Sequence, residues 1–84
     1  MSKHLKHIST IHVLTEKEIF IFVTFVNDTE TKESLVTYSG SVNDEAGISE
    51  TFTNTLRGVK LDYLRQVCKE KIESNYGKII KGDM

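Results

Sequence analysis

Residues 18–26 read Glu-Ile-Phe-Ile-Phe-Val-Thr-Phe-Val. An extended strand sends alternate side chains to opposite faces. Ile19, Ile21, Val23 and Phe25 therefore share one face, and Phe20, Phe22 and Val26 share the other with Thr24 as its polar member. A strand with one wet face alternates apolar with polar; this one is apolar on both, so both faces want cover. One helix can cover one face. The other calls for a second layer, a second copy of the chain, or a partner.

The flanking segments extend the pattern. Residues 7–14 (HISTIHVL) read as a first strand, and residues 15–17 as a tight turn into a long strand over 18–27. The polar run 27–32 reads as a hairpin loop. Residues 34–42 alternate, with Val36, Tyr38 and Val42 on one face and Thr37, Ser39 and Ser41 on the other. Gly40 falls on the apolar side, where it marks a bulge or a close backbone approach. After a turn at 43–47, residues 48–55 favour a strand, because Thr51, Thr53 and Thr55 are β-branched around Phe52. Ile48, Phe52 and Leu56, four apart, support a competing helical reading.

From 59 to 76 the period becomes helical. Leu61, Leu64, Cys68, Ile72 and Tyr76 recur every three or four positions among strong helix formers. Gly77 is a natural stop. In the tail, 77–84, Ile79 and Ile80 either dock on the body or add a short edge strand. The expected fold class is a single α+β domain over 1–84. It is an antiparallel β-meander of three to four strands with one C-terminal helix packed on one face.

Composition narrows the class without naming a function. The 84 residues hold no Pro and no Trp, and the apolar fraction of 38% with 27% charged residues is ordinary for a globular domain. A domain of this size buries only ~60–65% of its unfolded surface, so association would help it. No apolar run approaches the ~20 residues of a membrane span. No continuous apolar stretch follows the basic N-terminal residues, so no signal peptide is expected. The single cysteine, Cys68, excludes an internal disulfide and fits a reducing, cytoplasmic setting.

The net charge of −1 conceals a segregation. Residues 13–55 carry eight carboxylates against two lysines, whereas residues 56–84 carry seven cations against four carboxylates. An acidic, sheet-forming part thus precedes a mildly basic helical part. Arg57, Lys60, Arg65 and Lys69 are candidate phosphate contacts, and Phe20, Phe22 and Tyr38 could stack bases. The acidic loops and the overall charge weigh against this, because phosphate binding draws on strongly basic surfaces.

No catalytic or cofactor constellation emerges. His4, His7 and His12 lack the neighbouring ligands a closed metal site needs. Cys68 sits mid-helix on the apolar stripe, where a thiol is a small hydrophobe rather than a nucleophile. Asp28, Glu30 and Glu33, with Asp44 and Glu45, lack the glycine and terminal carboxylate of a calcium loop. No cofactor, metal or small-molecule substrate is expected, and no enzyme. The sequence favours a small protein-binding regulator or inhibitor acting by surface occupation, with the profile of a bacterial or phage accessory protein. Its interface would be Phe20, Phe22 and Val26, used for a homodimer or a protein partner. The alternative is a nucleic-acid-binding module built on the basic helix and the sheet aromatics.

Overall fold

In a computed structural model, which describes residues 4–84, the double-faced segment is strand β2, Phe20–Asp28. Met1, Ser2 and Lys3, the start of the basic N-terminal stretch, lie outside the described residues. β2 pairs antiparallel with β1 (Leu5–Thr15) on one side and with β3 (Glu33–Asn43) on the other. β4 (Ser49–Gly58) follows along β3. The helix α1 spans Leu61–Tyr76, and β5 (Ile79–Lys81) returns to pair with β1. The sheet order is β4-β3-β2-β1-β5.

The strand count is therefore five, not three to four. The fifth strand is only three residues long, too short for any period to register, and it exists because of what ends the helix. Gly77 takes φ 101, in the region open to glycine. The Ile79 N–H then donates to the Glu73 carboxylate at 2.9 Å, and the Glu16 N–H donates to the Lys78 carbonyl at 2.7 Å. Those bonds bring Ile79 opposite Thr15. The segment 48–55 is strand, as its threonines favour. Ile48 stays exposed, so it contributes no helical face.

Two of the hairpins share one construction. In the β3–β4 turn the Asp44 N–H donates to the Ile48 carbonyl and the Gly47 N–H to the Asp44 carbonyl, each at 3.0 Å. In the β1–β2 turn the Thr15 N–H donates to the Ile19 carbonyl at 3.0 Å and the Glu18 N–H to the Thr15 carbonyl at 2.9 Å. These are three-residue loops closed by a bulge residue with positive φ. That residue is Gly47 at φ 80 in one and Glu18 at φ 64 in the other.

The helix covers the Ile21–Val23–Phe25 face. The core is Val13, Ile21, Val23, Phe25, Val36 and Tyr38 from the sheet with Leu64, Cys68 and Ile72 from α1. Leu61 and Tyr76, at the ends of the helical stripe, are partly buried against it. Gly40 is a close approach. A Cβ there would stand 2.6 Å from the Phe20 carbonyl oxygen and 2.9 Å from the Phe52 ring. The space left by Gly40 seats Phe52, which stacks on Tyr76 with ring centroids 4.1 Å apart and planes 12° from parallel.

The open face of the sheet as candidate docking surface

The register fixes which side chains share the face that α1 leaves bare. Cross-strand partners lie on the same face of a sheet. One row therefore runs His7–Val26–Leu35–Arg57, the next Thr10–Thr24–Thr37–Thr55, and the next His12–Phe22–Ser39–Thr53. Leu14 and Phe20 pair one step further on. The sidedness read from the alternation holds. Phe20 is 62% exposed and Phe22 48%, while Ile21, Val23 and Phe25 are fully buried. Val26 is half-buried between His7 and Leu35.

Three kinds of contact order this face. The His12 and Phe22 rings meet edge to face, centroids 4.6 Å apart. The threonine row is linked by hydroxyl contacts, Thr10 to Thr24 at 3.3 Å and Thr37 to Thr55 at 3.1 Å, and His7 Nε2 reaches the Thr10 hydroxyl at 2.8 Å. Beside Phe20 and Phe22, with Ser39, Gly40 and Ser41 as further walls, lies a shallow depression of about 380 Å³.

One end of the face is closed by charge. Arg57 Nη1 donates to Asp28 at 3.1 Å and to Glu33 at 3.2 Å. His4 stands 3.8 Å from Asp28 and 3.3 Å from Glu30. Asp28 Oδ1 accepts the backbone N–H groups of Glu30 and Thr31, so this carboxylate also shapes the β2–β3 turn. Burial works to raise the Asp28 carboxyl. The Thr31 N–H, the Arg57 guanidinium and the Glu30 N–H outweigh it, and Asp28 titrates below the ordinary 3.8. Arg57 is raised in turn, chiefly by its bond to Asp28. Between this cluster and Lys81, opposite Leu14 at the far corner, the paired strands place no Lys, Arg, Asp or Glu on the face among the described residues.

The basic residues do not converge. Arg57 lies on the open face, already bonded to two carboxylates. Lys60 is the residue before the helix, and Arg65 on α1 sits over the Phe25 ring at 4.6 Å, on the covered side. Lys69 shares a surface hollow with Asp62, Glu70 and Glu73. Tyr38 is buried under the helix, its hydroxyl pushed up by burial, so it is not among the exposed aromatics of the open face. That departs from its reading as a base-stacking residue; the cause is parity, since Tyr38 pairs with Val23.

The remaining candidates have local roles. Asp44 Oδ1 accepts the N–H groups of Ala46 and Ile48 and so caps its turn. Cys68 is buried, and burial pushes its thiol up to about 11, which keeps it protonated at neutral pH. His4, His7 and His12 stand in three different neighbourhoods. Among the described residues no group of three or more His, Cys, Asp or Glu could hold a metal ion. No helix among them is long and apolar enough to cross a membrane. Sequence reasoning missed His12 as a partner of Phe22 and the pairing of Arg57 with Asp28; both depend on register across strands. No family model, curated protein or solved structure matches the chain.

Proposed function

We propose that the protein is a non-enzymatic binding protein, a regulator or inhibitor that lays the open face of its sheet on a protein partner. The observation that carries this reading is the exposure of Phe20 and Phe22, side by side on a face where the described residues place no lysine, arginine or carboxylate along most of its length. Water around two phenyl rings is costly, at ~25 cal/mol per Å² of apolar surface. Interface centres favour such a composition, with aromatics enriched and charge depleted. The size fits as well. Four strands of nine to eleven residues present a patch of roughly 20 × 30 Å, about 600 Å², the lower end of the ~600–1,000 Å² that each partner gives to a standard interface. The profile remains that of a cytoplasmic accessory protein of bacterial or phage type.

The test is capture from host lysate with wild type, Phe22→Asp and Lys60→Asp, each with and without nuclease. The expected result is a protein retained by wild type and Lys60→Asp, resistant to nuclease and lost with Phe22→Asp. Capture that disappears with nuclease, or that falls with Lys60→Asp while surviving Phe22→Asp, would move the reading to nucleic acid. Steep salt sensitivity would accompany that outcome.

A further inference from the structure

We infer that the outer edge of β4 pairs with the same edge of a second copy of the chain, joining two five-stranded sheets into one. β4 spans Ser49–Gly58 and hydrogen-bonds to β3 alone. Its outward backbone groups can be assigned. The Asp44–Ile48 bond fixes the phase of the β3–β4 ladder. Hydrogen-bonded pairs then alternate with non-bonded ones. Val42–Glu50, Gly40–Phe52, Tyr38–Asn54 and Val36–Leu56 are the bonded pairs. Thr51, Thr53, Thr55 and Arg57 accordingly turn their N–H and C=O groups away from β3. No other backbone partner of β4 occurs among the described residues.

Sheet edges that stay single are usually defended by bulges, prolines, charge or brevity. β4 has none of these: its register is unbroken, it contains no proline, and its two charged residues, Glu50 and Arg57, sit near its ends. The opposite side of the sheet is defended. β5 is three residues long. β1 bears a bulge between His7 and Ser9 and a lysine at position 6. Gly82 packs so closely on β1 that a Cβ there would stand 2.5 Å from the His12 carbonyl oxygen.

The sequence of β4 also matches itself. Two-fold pairing of antiparallel edges keeps each face of the sheet on its own side, so only registers that oppose residues of like parity are allowed. With Asn54 on the axis, Thr53 opposes Thr55 of the second copy and Thr51 opposes its Arg57. These are the outward-facing backbones, and the register completes about eight new ladder bonds. On the helix side Phe52 then meets Leu56 of the second copy, both only partly buried in the single chain. Sliding two residues, with Thr53 on the axis, would set Glu50 against Leu56 and Phe52 against Asn54. The first register is the one the side chains support. The product is a ten-stranded sheet with two open faces side by side.

Sedimentation equilibrium of the full chain tests this. Wild type is expected at twice 9.6 kDa. Thr53→Pro removes an outward N–H and no bond to β3, so it should give a monomer with an unchanged far-ultraviolet circular dichroism spectrum. Should that variant not fold, the double variant Thr53→Lys/Thr55→Lys, which sets lysine against lysine across the axis, decides by the same readout. Phe22→Asp should remain dimeric. A monomeric wild type, a dimer that persists in a folded Thr53→Pro or in the lysine pair, or a dimer lost in Phe22→Asp would overturn the inference. Partner capture by a monomeric Thr53→Pro would still uphold the open-face reading, so the two can fail separately.

Discussion

Glu18 and Gly47 occupy the same position in two turns of identical bonding. In each, the first residue of the turn also caps it. Thr15 Oγ1 accepts the N–H groups of Lys17 and Ile19, as Asp44 Oδ1 accepts those of Ala46 and Ile48. The two bulge residues differ in their fitness for positive φ. Gly47 sits at 80° without steric cost, whereas Glu18 holds 64° against the crowding of its own Cβ.

Glu18→Gly should therefore stabilise the protein by about 0.5–1 kcal/mol. That is the ~1–2 kcal/mol cost of a left-handed non-glycine residue less the extra entropy glycine loses on folding. Gly47→Val should destabilise by about 1–2 kcal/mol or more, because a β-branched residue suits that region least. Urea midpoints read both, and a Glu18→Gly midpoint at or below wild type would contradict the strain.

Gly40→Ala should destabilise by about 1–3 kcal/mol, as overpacking does. The added methyl meets the Phe20 carbonyl oxygen and the Phe52 ring. Phe52 must move, and its stack on Tyr76 should loosen. Urea denaturation measures the loss, and ring proton shifts of Phe52 and Tyr76 report the stack.

Leu64→Ala should cost about 2–5 kcal/mol, since Leu64 is 4% exposed in the core and rests against Gly58. Cys68 offers a second probe of the same packing. In folded protein at neutral pH its thiol should react with a disulfide reagent only through opening of the structure. Leu64→Ala should then speed labelling in step with its lost stability. Rapid labelling of folded wild type would show that α1 does not cover Cys68.

Stability should fall in acid through Asp28. Its carboxyl titrates below 3.8 in the folded chain, so the charged form is favoured by folding. That contribution is present above the unfolded value and is lost as pH falls below 3.8 through the folded one. The groups facing it are Arg57, Glu33, His4 and the turn N–H groups of Glu30 and Thr31. Thermal melts from neutral pH into acid should show a shallower decline for Asp28→Asn than for wild type, with the variant less stable at neutral pH. Parallel curves would remove Asp28 from the account.

Much of the fold is legible in the sequence because burial leaves a period. Ile21, Val23 and Phe25 alternate with Phe20 and Phe22, and Leu64, Cys68 and Ile72 recur every four, so strand, helix and the sidedness of both follow. Position 38 was legible as apolar-facing, yet grouping Tyr38 with Phe20 and Phe22 needed the register that sets it on the other side. Arg57 is 29 positions from Asp28, and no local pattern announces that pairing. Ile79 joins the sheet through backbone bonds and a glutamate six residues back, which hydropathy does not record.

The union of β5 with β1 sets the order in which the chain can acquire its structure. Each hairpin from β1 to β4 joins neighbours in sequence, and such contacts close quickly. Thr15 and Ile79 stand 64 positions apart. With Leu14 and Lys81 standing 67 positions apart, the β1–β5 pairing carries the largest loop-closure entropy in the sheet. The chain between the two strands runs through the whole of α1 and its stop at Gly77. Folding should thus proceed from a rapidly formed meander to a slow final docking of α1 and β5, and substitutions at Ile79 should chiefly accelerate unfolding while leaving the folding rate nearly unchanged.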